Sequence, residues 1–208
     1  MLEVITGCMY AGKSSELLRR VRLSQIAGLR CMSYKHSLDQ RYSPTHIATH
    51  PNPAAASTGQ QQQEFGECVL VRNEWELGQA LTDALEAKAD VISIDEVQFF
   101  GKEALHDIFA AADRVRVIVA GLSLDAYGVP FDIMPELLAD ADEIKRLHAV
   151  CTNKVRGPLG VEALCGKKAS RTVDLDPKGE QNQGKTPLVA VGSYGKYAAR
   201  CRHCWTWG

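Results

Sequence analysis

Near the amino end, Gly7-Cys8-Met9-Tyr10-Ala11-Gly12-Lys13-Ser14 fits the pattern G-x-x-x-x-G-K-[ST] in full. Glycines at both ends let the backbone curl so that several N–H groups face one phosphate, and a helix following the loop adds its positive end. Lys13 supplies a point charge for the β- and γ-phosphates, and the Ser14 hydroxyl suits Mg²⁺. The phosphate-contacting set is thus Gly7, Met9, Ala11, Gly12, Lys13, Ser14 and Ser15. A second group, Asp95-Glu96, ends the apolar run Val91-Ile92-Ser93-Ile94. An acid at a strand tip beside a phosphate loop holds Mg²⁺, here Asp95 with Ser14. The next acid, Glu96, either takes a proton from an acceptor hydroxyl or aligns a water. A third group is Cys201-Arg202-His203-Cys204, a C-x-x-C knuckle that makes four thiolates with Cys151 and Cys165. Four thiolates suffice for a closed tetrahedral zinc site, although the spacing Cys151-x13-Cys165 is not that of a standard knuckle.

These residues need elements to position them. Leu2–Ile5 reads as a short strand stopped by Gly7. The stretch 14–26 reads as a helix whose Leu17, Leu18, Val21 and Ile26 share a buried face with arginines opposite, closed by Gly28. Strands are predicted at 31–34, 68–71, 91–94 and 115–120, helices at 74–87 and 102–112, and a mixed segment at 139–146. Such alternation implies a parallel sheet covered on both faces, with ligands at the carboxyl ends of its strands. Gly7, Asp95–Gln98 and Gly121 all follow strands, so they are expected on one edge. Residues 43–63, rich in Pro, Ala, Ser, Thr and Gln, read as a surface loop. After Val150, Gly, Pro, Lys, Asn and Gln dominate and periodicity fades; such a segment needs another source of order, which a metal would provide. The expected organisation is an ATP-binding α/β domain over residues 1–150 and a zinc-binding unit over 151–208.

Composition narrows the partners. Lys and Arg number 24 against 25 acids, so the chain lacks the basic excess that a nucleic-acid partner requires. Met1 leads into a run too short for a signal peptide core, and no apolar stretch is long enough to span a bilayer. A cytoplasmic location is expected, where cysteines are free thiols or metal ligands.

Together the three groups resemble the type II thymidine kinases, a cytosolic family with a P-loop, RecA-like parallel sheet flanked by helices and a small C-terminal zinc-held lasso. The resemblance runs from Leu2 to the C-terminus. Met9-Tyr10-Ala11-Gly12-Lys13-Ser14-Ser15-Glu16-Leu17-Leu18 resembles the family's extended loop motif, Asp39-x-Arg41-Tyr42 its D-x-R-Y, and Thr49-His50 the pair that follows. Ile94-Asp95-Glu96-Val97-Gln98-Phe99-Phe100 is similar to its I-D-E-[AV]-Q-F-F, Gly121-Leu122 through Pro130-Phe131 to its G-L-x(7)-P-F, and Gly192-x(4)-Tyr197-x(3)-Cys201-Arg202-x-Cys204 to its lasso closure.

The resemblance implies transfer of the γ-phosphate of ATP, with Mg²⁺, to the 5′-hydroxyl of a pyrimidine deoxynucleoside, with Glu96 as base. It implies Asp39 and Arg41 near the reacting phosphates. Met9, Phe99, Phe131 and Tyr197 would line the nucleoside pocket, with Thr172 and the lasso backbone at Val189, Val191 and Gly192 on the base. It further implies structural zinc at Cys151, Cys165, Cys201 and Cys204, and a homotetramer or homodimer. The chain departs from the family pattern at Cys8 (usually proline), Ala126 and Arg171 (usually aromatic) and Asp174 (usually arginine), and an insertion of about eleven residues around Gly157–Gly160 splits the first zinc knuckle. These departures gather at the base pocket and the lasso and leave the phosphate chemistry intact. A relative with altered nucleoside preference, and an ATPase of RecA type, are the alternatives.

Overall fold

A computed structural model describes residues 1–39, 46–48, 65–156, 160–175 and 196–205. Arg41, Tyr42, Thr49, His50, Val189, Val191 and Gly192, and most of the expected loop at 43–63, lie outside the described residues.

The chain alternates strand and helix through its first two thirds: β1 (Leu2–Thr6), α1 (Lys13–Ile26), β2 (Cys31–His36), β3 (His46–Ala48), β4 (Phe65–Glu67), β5 (Val69–Val71), α2 (Glu74–Glu86), β6 (Val91–Asp95), α3 (Leu105–Ala112), β7 (Arg116–Gly121), α4 (Met134–Asp140) and β8 (Glu143–Arg146). Six of these strands form one sheet in the order β5-β2-β6-β7-β1-β8, and every adjacent pair is parallel. All six carboxyl ends therefore share one edge. β1, β6 and nearly all of β7 are buried along their length, as the near-continuous apolar runs require in a sheet covered on both faces. Ile92, Ile94, Val117, Val119, Leu77, Leu81 and Ile108 form the core between the sheet and α2–α3. Asn73 caps α2, its side-chain oxygen accepting the Glu76 N–H at 2.9 Å.

Three sequence expectations need correction. Ile26 is 76% exposed rather than part of the buried face of α1, and Arg20 is only 8% exposed rather than facing solvent. The cause is Glu3, a buried acid in the middle of β1: Arg20 turns inward to meet it, and Arg116 grips the same carboxylate from β7. Arg20 also reaches Glu16 at 3.0 Å and Glu143 at 2.9 Å, so the pairing closes into a network. Within 43–63, residues 46–48 are strand rather than loop: β3 pairs antiparallel with β4, and Ile47 is buried in a cluster with Leu17. Finally, 102–104 is a 3₁₀ turn leading into the shorter α3, and the mixed segment 139–146 resolves into the end of α4 and β8.

From Ala149 on, the structure consists of two-stranded antiparallel ribbons. β9 (Ala149–Val150) pairs with β12 (Lys168–Ala169), β10 (Lys154–Arg156) with β11 (Glu162–Leu164), and β13 (Arg171–Asp174) with β14 (Tyr197–Arg200). Of the insertion between Cys151 and Cys165, the described residues include the β10–β11 ribbon, mostly exposed.

Candidate active site and metal centre

The phosphate loop joins β1 to α1. A methyl group at Gly7 would lie 2.6 Å from the Leu147 carbonyl oxygen, so only glycine allows that close approach. Gly12, the residue before α1, has φ 83°, a left-handed conformation that glycine adopts without strain. Tyr10 has φ 64°, which is strained for a side chain of its bulk. The Cys8 carbonyl accepts the Ala11 N–H at 3.4 Å and the Lys13 ammonium at 3.1 Å, closing the loop on itself. Ser14 and Ser15 stand in the first turn of α1, half-buried.

At the end of β6 the acid pair meets this loop. Asp95 is buried, with the Ser14 side chain close enough to lower its pKa. Burial raises its carboxyl to about 7; the charges of Glu96 and Asp39 add to the rise, while the Ser14 hydroxyl and the Glu96 N–H oppose it. Glu96 is half-buried with φ 54°, a left-handed backbone that turns it out of the strand direction. Gln98 holds it: its amide donates to Glu96 Oε2 and its carbonyl oxygen accepts the Leu122 N–H at 3.0 Å. A methyl at Gly121 would lie 2.8 Å from that Gln98 oxygen, so the glycine at the end of β7 makes room for this bridge.

A buried lysine completes the edge and was not visible in the sequence. Lys35, register partner of Asp95 on β2, is 1% exposed. Its ammonium donates to the His46 carbonyl at 3.1 Å and lies 3.6 Å from Asp39 Oδ2. The signal was a lysine next to the strand predicted at 31–34, which extends in fact to His36. His36, buried, packs edge-on against Phe100 and tilted against Phe99, and burial lowers its pKa below the ordinary imidazole value.

Of the residues expected around the nucleoside, Phe99 is half-buried near this edge, and Met9 packs on the core cluster that contains Phe131. Thr172 and Tyr197 reach the phosphate loop directly. Thr172 Oγ1 accepts the Met9 N–H at 3.1 Å, and the Tyr10 hydroxyl donates to the Tyr197 carbonyl at 3.3 Å. The Met9 N–H thus faces β13 rather than the interior of the loop. Two of the departures from the family pattern, Ala126 and Arg171, are bridged by Trp205, also missed in the sequence. Its indole N–H donates to the Ala126 carbonyl at 3.4 Å, and the Arg171 guanidinium lies 5.5 Å above its ring.

The four cysteines converge. The ligand atoms of Cys151, Cys165, Cys201 and Cys204 all lie within 4.8 Å of one another, and Cys165 Sγ stands 3.9 Å from Cys201 Sγ. Tetrahedral Zn–S bonds of about 2.3 Å set sulfurs about 3.8 Å apart, which fits, whereas a disulfide needs about 2.05 Å. The long connection closes because the Cys165 N–H donates to Asn153 O at 2.8 Å and the Gly166 N–H to Cys151 O at 3.0 Å. Burial raises the Cys201 thiol, but the N–H groups of Cys204 and His203 and the thiols of Cys204 and Cys151 outweigh it and bring it to about 7. Its neighbour Cys204 moves the other way, up to about 11: the Asn153 side chain lowers it, but burial and the thiols of Cys165, Cys201 and Cys151 outweigh that. A metal binding all four would take them as thiolates. Cys68, away from this cluster, is pushed up to about 11 by burial, as an inert core thiol should be.

A Gly-Lys-Ser loop between strand and helix, with an acid pair at the end of a parallel strand one removed across β7, defines a nucleotide-binding α/β protein of the P-loop class. A sequence model of the family described as "Thymidine kinase" matches residues 1–205. A protein named thymidine kinase from Deinococcus deserti is 39% identical over 202 residues, which cover 97% of this chain and 92% of that one. The chain belongs to the thymidine kinase family. Among solved structures, the genome packaging NTPase B204 of Sulfolobus turreted icosahedral virus 2 in complex with ATP-gammaS matches 76% of this chain and 77% of its own at 16% identity, with a TM-score of 0.44. The same protein in complex with sulfate matches at 17% identity and a TM-score of 0.45, covering 76% of each chain. Likenesses of that extent carry no inference.

Proposed function

We propose that the protein transfers the γ-phosphate of ATP to the 5′-hydroxyl of thymidine or deoxyuridine, with Glu96 as the base. The observation that carries this reading is the approach of the Ser14 side chain, at the start of α1, to the buried Asp95, with Glu96 as the next residue. The phosphate loop and the acid pair therefore act at one point, inside a chain of thymidine kinase sequence.

In this reading Gly7, Ala11, Gly12, Lys13, Ser14 and Ser15 hold the triphosphate, and Asp39 and Arg41 stand near the transferred group. Ser14 and Asp95 would hold Mg²⁺: a hydroxyl and a carboxylate are the hard oxygen donors it takes. A carboxyl raised by burial and by two neighbouring acids gains much from a cation. When bound, the ion neutralises charge on the phosphate oxygens. Glu96 removes the proton of the acceptor hydroxyl as the phosphoryl group arrives, and Gln98 keeps its carboxylate in place.

Met9, Phe99, Phe131 and Tyr197 line the nucleoside pocket, and Thr172, Val189, Val191 and Gly192 lie against the base. Residues 1–150 form the ATP-binding domain, and 151–208 the lasso unit held by zinc on Cys151, Cys165, Cys201 and Cys204. A cytoplasmic homotetramer or homodimer without a nucleic-acid partner completes the proposal. Among the described residues no helix is long and apolar enough to cross a membrane.

Main-chain groups that read two carbonyl acceptors flanking an N–H donor accept thymine and uracil alike. Cytosine presents an amino group in place of one carbonyl and leaves a mismatched pair that costs about 1–3 kcal/mol. Phosphoryl transfer is to be measured with thymidine, deoxyuridine, deoxycytidine and no acceptor, at saturating Mg-ATP. Thymidine and deoxyuridine are expected to be used with kcat/KM closer to each other than either is to deoxycytidine. Deoxycytidine matching thymidine would overturn the specificity, and ATP turnover independent of any nucleoside would overturn the kinase reading.

A further inference from the structure

Three consecutive residues of the phosphate loop contact the cysteine-organised unit. Cys8 Sγ donates to the Ala169 carbonyl at 3.4 Å, the Met9 N–H donates to Thr172 Oγ1 at 3.1 Å, and the Tyr10 hydroxyl donates to the Tyr197 carbonyl at 3.3 Å. Their partners stand on three strands, β12, β13 and β14. Cys8 and Ala169 share one buried cluster with Ala149, Cys151, Ala199 and Cys201, so two of the four clustered cysteines pack in the same cluster as a residue of the loop. Thr172 is 4% exposed and sits opposite Ala199 in the β13–β14 ribbon, which fixes the place of its hydroxyl.

The middle contact matters most because of what lies beside it. Tyr10 holds a left-handed backbone conformation that its side chain disfavours, and such strain persists only where neighbouring contacts over-determine it. The Met9 N–H bond fixes the Cys8–Met9 peptide, one residue ahead of the strained Tyr10 backbone. With that bond removed, the loop can relax toward conformations in which its amides no longer converge on a phosphate. Apparent affinity for ATP then falls in proportion to the fraction of molecules keeping the competent loop.

We propose that Thr172 is a positioning residue for the phosphate loop, so that the unit expected to close on the nucleoside also sets the loop's affinity for ATP. The inference rests on the proposed kinase reading for its meaning, but it concerns ATP binding with no nucleoside present. A residue that only touched the base would have no effect there.

The experiment measures the dissociation constant of Mg-ATP by calorimetry, without nucleoside, for the parent, Thr172→Val and Thr172→Ser. Thr172→Val keeps the shape and removes the acceptor. It is expected to weaken ATP binding about tenfold, the effect of losing one hydrogen bond of ordinary net strength. Thr172→Ser restores the hydroxyl and is expected to bring affinity back to within about threefold of the parent. Unchanged ATP affinity in a folded Thr172→Val protein, with only the nucleoside KM raised, would overturn the proposal. If that variant does not fold, Tyr10→Phe decides: it removes the hydroxyl that donates to the Tyr197 carbonyl, and weaker ATP binding supports the coupling while parental binding contradicts it. A parent that binds ATP but phosphorylates no nucleoside would defeat the kinase reading and leave this result standing.

Discussion

The Gln98 amide donates to the Glu96 carboxylate while its carbonyl oxygen accepts the Leu122 N–H, so one buried side chain ties the acid at the end of β6 to the end of β7. Glu96 leaves its strand in a left-handed conformation, and Gln98 holds the side chain where that turn delivers it. Gln98→Leu is expected to lower kcat about tenfold or more, by freeing the carboxylate and stranding the Leu122 N–H. ATP binding is expected to stay near parental. Steady-state kinetics with ATP and thymidine varied in turn make the check; an unchanged kcat would remove Gln98 from the positioning of Glu96.

Lys35 gives a prediction about stability. It is among the largest fully buried side chains, and its ammonium faces Asp39 at 3.6 Å. Replacing it with methionine keeps volume and removes the buried ammonium that faces Asp39, a loss of about 3–5 kcal/mol for a broken buried pair. Urea unfolding of Lys35→Met should show that drop, with the slope of the transition unchanged. A variant as stable as the parent would mean that the pair contributes nothing net.

The phosphate loop, the acid pair and the cysteines were legible because each is a contiguous motif or a residue type with few structural uses. Fold class followed from alternating periodicity. Arg20 and Trp205 were not legible, since what buries each is a partner distant in the chain, Glu3 for one and Ala126 with Arg171 for the other; Lys35 was not, because the strand that buries it runs beyond the predicted 31–34. Periodicity put Ile26 inside and the arginines outside, but the inward acid on β1 pulled Arg20 in, and Ile26 remained exposed at the last turn of α1. Helix α4 escaped notice because Pro135 reads as a breaker, whereas it stands in the first turn, where a proline is tolerated.

Acid stability follows from the same network. Burial alone would raise Glu3, but hydrogen bonds from Arg116 and Arg20 outweigh it and hold its pKa below the ordinary carboxylate value. Glu16, bound by Arg19 and Arg20, is lowered from 4.5 to about 2. A carboxyl depressed in the folded state stabilises fully above its unfolded pKa and loses that contribution as pH falls through the folded value. Thermal stability is therefore expected to fall between pH 4.5 and about 2. Glu16→Gln should flatten that limb; an identical acid limb in parent and variant would contradict the assignment.

The metal centre predicts about one zinc per chain, bound by four sulfurs at about 2.3 Å, measurable by metal analysis and X-ray absorption. Cys165→Ser should lower zinc retention and the melting temperature together. Protein purified without chelator that carries no metal, or that holds a disulfide among these cysteines, would refute the site.

The most direct test of the account is the formation of thymidine monophosphate from ATP and thymidine by the parent and by Glu96→Gln. Glutamine keeps the shape of the side chain and its contact with Gln98 but cannot take a proton from the acceptor hydroxyl. The parent is expected to make the monophosphate one-for-one with ADP. The variant is expected to bind ATP and thymidine as the parent does and to turn over about a hundredfold or more slowly. Turnover by Glu96→Gln at the parental rate, or ADP released by the parent without nucleoside phosphorylation, would contradict it.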